Sequence, residues 1–205
     1  MKIICVATNY APQGIESGAF QPLEVPVIFI KPDTALLRNR HPFFLPDFST
    51  DMRCDVEIVV RIDRLGKNIS RRFAARYYNE ITVGVGITAC DLQNRLRERG
   101  LPWEISKSFD NSAAVGDFVP INSLDTGICG INFHLDIDGE TVCGGNTGEM
   151  FFPVDEIIEY ASRYVTLRTG DLIFTGTFAS NRRLEIGNHL EGYIFDRKVL
   201  EFWVK

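Results

Sequence analysis

Cys54-Asp55-Val56-Glu57-Ile58-Val59-Val60-Arg61-Ile62-Asp63 decides how this chain folds. Side chains of an extended strand alternate between its two faces. Val56, Ile58, Val60 and Ile62 therefore form one aliphatic face, while Asp55, Glu57, Val59 and Arg61 share the other. Two carboxylates on one strand face repel each other unless positive charge sits between them. A hard divalent cation with oxygen ligands satisfies that arrangement, and Mg2+ often uses only one or two protein carboxylates. On this segment alone, solvated acids or a pairing with Arg61 is the simpler reading.

The flanking sequence supplies further strands. Met1 to Thr8, Val27 to Lys31, Ile81 to Val85, Leu172 to Thr177 and Lys198 to Val204 are apolar runs of strand length. Phe133 to Ile137 and Glu140 to Cys143 flank Asp138-Gly139, a strong hairpin signal. Three segments show helical spacing. Ser70 is placed to cap a helix with Phe73, Ala74, Tyr77, Tyr78 and Ile81 on one face. Asp91 is placed to cap Leu92 to Arg99, which Gly100 and Pro102 would end. Pro153 opens a third, with Val154, Ile157, Ile158 and Ala161 inward. Many strands, about three helices and no regular alternation of the two predict an α+β fold with a dominant β core.

The chain has 205 residues, which suits one domain over 1–205 with a sizeable core. A formal net charge of −5 argues against a broad nucleic-acid footprint, which needs clustered Lys and Arg. The basic run Lys67 to Arg76 is interrupted by Phe73 and Ala74 and reads as a solvated face. Five cysteines, widely spaced and without a Cys-x-x-Cys pair, indicate neither a zinc site nor a disulfide framework. Reduced thiols in a cytoplasm are the expectation. No apolar run approaches a membrane span, and Ile3 to Ala7 is too short for a signal-peptide core.

Several ordered motifs carry a resemblance. They are Asn9-Tyr10-Ala11, Lys31-Pro32-Asp33-Thr34, Asp55-Val56-Glu57, Gly86-Ile87-Thr88-Ala89-Cys90-Asp91-Leu92-Gln93, Gly100-Leu101-Pro102-Trp103, Lys107-Ser108-Phe109-Asp110 and Gly170 to Thr177. Together they make the chain similar to the fumarylacetoacetate hydrolase family over nearly its whole length. The resemblance implies a mixed β-roll and an enzyme in which Mg2+ (or Mn2+) chelates a small 2-oxo or 1,3-dioxo acid and stabilises an enolate. It further implies Asp55 and Glu57 as metal ligands, Glu16 and Lys107 as catalytic groups, and Gln93, Thr177 and Lys31 as substrate contacts.

Four positions depart from the family pattern. Gly86 stands where a third acidic ligand is usual, and Cys90 where an Arg holds an anionic substrate group. A neutral thiol cannot make a bidentate carboxylate contact. Gln13 replaces the histidine that activates water in hydrolytic members, and an amide does not titrate near neutral pH. After Thr177 the chain reads Phe178 to Arg183 in place of a Pro and Gly-rich stretch, and Arg182 or Arg183 is a candidate for the lost positive charge.

Two readings stay open. One is a metal-dependent hydrolase, isomerase or decarboxylase of small oxo acids, tilted away from hydrolysis by Gln13. The other is a catalytically impaired pseudoenzyme that binds a metabolite or partner. The aromatic, Pro-rich segment Pro42 to Phe48 and the family analogy lead to the expectation of a homodimer, although the segment also suits the lining of the chain's own cleft.

Overall fold

Twelve strands in two sheets and three α-helices make up the described residues, 1–11, 23–176 and 182–205 of a computed structural model. In chain order these elements are β1 (Ile3–Val6), β2 (Ile28–Lys31), β3 (Leu36–Arg38), β4 (Met52–Ile62), α1 (Arg71–Ala74), β5 (Tyr78–Ala89) and α2 (Cys90–Glu98). They continue with β6 (Ala113–Val115), β7 (Val119–Pro120), β8 (Asn132–Ile137), β9 (Glu140–Asn146) and α3 (Val154–Tyr164). β10 (Leu172–Phe174), β11 (His189–Ile194) and β12 (Arg197–Trp203) complete the order.

The larger sheet runs β2-β1-β10-β4-β5-β6-β3, with β7 paired to β5 beside that path. β1 pairs with β10 and β3 with β6 in parallel, and the remaining pairings are antiparallel. The smaller sheet runs β12-β11-β8-β9 and packs across β4 and β5.

The alternation in β4 does the sorting. Val56, Ile58, Val60 and Ile62 are fully buried with Ile81, Val83, Val85 and Ile87 of β5, against Leu135, Leu190 and Leu200 of the smaller sheet. The opposite face carries a smaller apolar cluster of Val59, Phe174, Ile3, Cys5 and Ala113. The acids of β4 lie on this second face.

The β8–β9 hairpin turns through Asp138 and Gly139 at φ 55° and 81°, the left-handed pair that a two-residue type I′ turn requires. Pro153 occupies the N-cap of α3, whose Val154, Ile157, Ile158 and Ala161 are buried. Asn9 ties three segments together: its side chain donates to Phe152 O at 3.0 Å and Thr175 O at 2.7 Å and accepts from Phe152 N at 2.7 Å.

The helix expected from Ser70 to Ile81 is corrected to the single turn α1. Ser70 makes no capping bond, and Tyr78 and Ile81 belong to β5. Pairing along β4 and burial of every second β5 side chain outweigh a local helical repeat of one or two turns. α2 begins at Cys90, with Ala89 rather than Asp91 at its cap. Asp91 instead accepts from Leu92 N at 2.7 Å and Ser49 Oγ at 2.6 Å, fastening the preceding loop to the helix. Within Pro42 to Phe48, Phe43 is buried in the core, Phe44 and Phe48 are exposed, and Phe48 meets the ring of Phe109 edge-on at 5.3 Å.

Candidate active site

The register of β4 against β5 sets the site. Asp55 lies opposite Gly86, Glu57 opposite Gly84 and Arg53 opposite Thr88. Directly paired residues share a face, so Arg53, Asp55 and Glu57 form one row beside Thr88, Gly86 and Gly84. The two glycines serve different ends. A Cβ on Gly84 would lie 2.4 Å from Val59 Cγ2 and 2.6 Å from Phe174 Cε1, so the small cluster has no room for one. A Cβ on Gly86 would meet only Glu57 Oε1, at 3.1 Å. Gly86 is not among the glycines of positive φ and is an ordinary position of an extended strand.

Glu57 is buried, and its Oε2 accepts the backbone N–H of Gly176 at 2.6 Å. Burial pushes its carboxyl up to about 7, the Asp55 charge pushes the same way, and the Gly176 N–H, Lys31 and Lys107 oppose. Lys31, buried on β2, donates from Nζ to Ser112 O at 2.7 Å, and burial brings its ammonium down to about 8. Lys107 donates from Nζ to Thr88 Oγ1 at 2.7 Å and stands 3.9 Å from Asp55 Oδ2. The fold thus gathers Lys31, Asp55, Glu57 and Lys107, four of the residues expected from sequence, from β2, β4 and the loop following α2.

Gln93 is the one buried residue of α2, and its Nε2 has no hydrogen-bond partner among the described residues. Cys90, one turn earlier and half-buried, donates its backbone N–H to Asp51 O at 2.8 Å, and burial raises its thiol. Glu16, Gln13 and Thr177 lie outside the described residues. His134 stacks on Tyr193 and His189 on Trp203 in the smaller sheet, away from the β4 acids, and His41 is an exposed loop residue. The Arg183 guanidinium donates to Thr50 O, and Arg182 interacts with Asp138 and Cys54, which lies on the other face of β4.

One charged residue of the site face escaped the sequence reading. Arg53 precedes Asp55 by two positions, so the same alternation places it in the acid row once the strand is extended to Met52. A cavity of about 570 Å³, lined in part by Tyr78, Glu80, Ile121 and Leu124, lies at the opposite end of β5 and is separate from this cluster.

Asp55 and Glu57 offer hard oxygen donors on one face, and a cation would offset the burial and the Asp55 charge that together raise Glu57. Among the described residues no third His, Cys, Asp or Glu joins them. The donor set fits a Mg2+- or Mn2+-type ion held by two carboxylates, with water or a chelating ligand completing its shell.

Residues 2–204 match the family described as Fumarylacetoacetate (FAA) hydrolase C-terminal. An uncharacterized protein of Pyrococcus abyssi is 36% identical over 98% of this chain and 88% of its own length. Oxaloacetate tautomerase YcgM of Escherichia coli K12 is 31% identical over 97% of this chain and 92% of its own. The crystal structure of fumarylpyruvate hydrolase from Pseudomonas aeruginosa, in complex with Mn2+ and pyruvate, superposes with a TM-score of 0.88 at 32% identity, covering 100% of this chain and 89% of that one. The chain belongs to the fumarylacetoacetate hydrolase family, a family of enzymes built on this mostly β fold.

Proposed function

We propose that this chain is a metal-dependent enzyme acting on a small 2-oxo acid through an enolate, by tautomerisation or decarboxylation rather than hydrolysis. The observation that carries this reading is the pair Asp55 and Glu57 on one strand face, with the Lys107 ammonium 3.9 Å from Asp55 Oδ2. Asp55 and Glu57 would hold the ion, which when bound supplies Lewis-acid stabilisation of enolate charge. Glu57 is fixed for this by the Gly176 N–H, which leaves Oε1 directed toward the open side at Gly86. Lys107, held by Thr88, presents a cation and a transferable proton at the edge of the site. Lys31 and Gln93 orient the substrate, with Glu16 and Thr177 completing the assignment. Gln13 disfavours water activation, since it cannot act as a base. The names of the oxaloacetate tautomerase and fumarylpyruvate hydrolase relatives support an oxo-acid substrate.

Gly86 favours a second reading, a binding protein without turnover, because the strand position facing Asp55 carries no carboxylate. Purified protein with Mg2+ or Mn2+ distinguishes the two. The enzyme reading expects faster enol–keto conversion or decarboxylation of oxaloacetate, lost in Asp55→Asn and Glu57→Gln. Binding of Mn2+ and oxalate without any turnover of oxaloacetate or an acylpyruvate would establish the second. Exposed Phe44 and Phe48 support a homodimer of this single domain, which light scattering tests. The five free cysteines suit a reducing compartment such as the cytoplasm, and no helix among the described residues is long and apolar enough to cross a membrane.

A further inference from the structure

We propose that Arg53 is the residue that holds the distal anionic group of the substrate in this site. The inference rests on the proposed function, since it concerns the end of the ligand remote from the Asp55–Glu57 pair.

Arg53 belongs to the same row of β4 side chains as Asp55 and Glu57, and its strand partner Thr88 takes the hydrogen bond from Lys107. Two cationic side chains therefore flank one threonine at the end of the acid row. Cys90 opens α2 beside them, and its half-buried thiol feels the charges of Arg53, Lys107, Asp51 and Asp55 together. A neutral thiol cannot bind an anion, but it leaves space that a longer side chain would fill. Gln93 lies one turn further on the same helix face, buried to 8% exposure, with an Nε2 that meets no acceptor among the described residues. A buried amide donor without an acceptor is costly. An anion in this corner would satisfy it.

The corner thus presents donors and positive charge: the Arg53 guanidinium, the Lys107 ammonium and the Gln93 amide. Among the described residues, the anions whose charge acts on Cys90 in this corner are Asp51 and Asp55. Asp51 currently takes Arg53 Nε at 3.0 Å and Nη2 at 3.2 Å. A guanidinium has five N–H donors in a planar fork, so this pairing does not exhaust Arg53. Its side chain is 38% exposed, which leaves the remaining donors open to a ligand. Arg183 pairs with Arg53 in an isolated antiparallel bridge, and its guanidinium donates to Thr50 O, while the charge of Arg182 acts on Asp138. Residues two apart on a strand are about 6.7 Å apart, so a substrate chelated near Asp55 would reach Arg53 with a second carboxylate a few bonds away. The site is then selective for a short 2-oxo diacid over the corresponding monoacid.

The test uses the full chain loaded with Mn2+, and calorimetry with three probes. Oxalate reports the chelating site alone. 2-Oxopentanoate and 2-oxoglutarate share a chelating end and differ at the far end by a methyl group against a carboxylate. Wild type is expected to prefer 2-oxoglutarate by about tenfold to hundredfold, the range of a charge-assisted bidentate contact. Arg53→Met should abolish that preference and leave oxalate affinity in place. Asp51→Asn should widen it by freeing the guanidinium, which keeps the proposal testable if Arg53→Met does not fold. Failure of oxalate to bind would overturn both the proposed function and this inference. Oxalate binding with no preference for the diacid, a preference that survives Arg53→Met, or no widening in Asp51→Asn would overturn the inference alone.

Discussion

Gly86→Asp gives the most direct measure of what the site lacks. The substitution places a carboxylate opposite Asp55 and starts from a Cβ 3.1 Å from Glu57 Oε1. Extended backbone at this position accepts Asp, so the effect is mainly electrostatic, with Glu57 Oε1 shifting by a few tenths of an ångström to admit the Cβ. Two carboxylates 4 Å apart repel by about 4 kcal/mol at an effective dielectric of 20. Glu57 already titrates at about 7, and uptake of one proton relieves much of that repulsion. A residual destabilisation of about 1–2 kcal/mol follows, or a fall of about 3–6 °C in Tm without metal. With Mn2+ the third anion supplies an inner-sphere oxygen, and affinity should rise about tenfold to hundredfold, or 1.4–2.7 kcal/mol. Calorimetric Mn2+ titration and thermal melts with and without the ion read both quantities. Gly86→Asn separates size from charge, since its Cβ meets the same oxygen without adding an anion. A Gly86→Asp protein that folds yet binds Mn2+ no more tightly than wild type would show that the ion is held elsewhere.

Two further outcomes follow from the geometry. Glu57 holds its proton more tightly in the folded chain than its ordinary value of 4.5 allows, so metal-free stability should fall as pH rises from 4.5 through about 7 and stay low above. Glu57→Gln should therefore be more stable than wild type by up to about 3 kcal/mol at pH 8, with no gain below pH 4.5, as read by urea unfolding across that range. Asn9→Ala removes two donors and an acceptor from a fully buried junction and should cost about 3–5 kcal/mol, measured as a lower urea midpoint at unchanged slope.

Much of the architecture was legible in residue patterns because burial enforces them. The two faces of β4, the Asp138-Gly139 hairpin and the buried stripe of α3 each follow from a period or a turn requirement, and each appears where those dictate. The stretch after Ser70 was misread because one or two turns of helical spacing cannot compete with an eleven-residue strand pairing, which is invisible in local sequence. β11 passed unnoticed for a related reason: its polar face, with His189, Glu191 and Tyr193, makes sense only beside β12. In the site, Asp55, Glu57, Lys31 and Lys107 were identifiable from motifs. Arg53 is hidden in the local pattern because β4 starts at Met52, two residues before the Cys54 that opens the apolar alternation.

The position of β10 has a consequence for how the chain is made. It lies between β1 and β4, pairing in parallel with residues near the N-terminus and antiparallel with the long central strand. Among the described residues, β1 and β2 therefore join the rest of their sheet only through Leu172 to Phe174. During synthesis, β4 and β5 can pair early, because only a short connection separates them. The edge of β4 that awaits β10, and the apolar β1, stay open through the making of most of the chain. Closure across so long a sequence separation makes this a slow step of folding. The open edge meanwhile is a template for pairing with another chain, so the nascent protein is most exposed to aggregation just before its last three strands emerge.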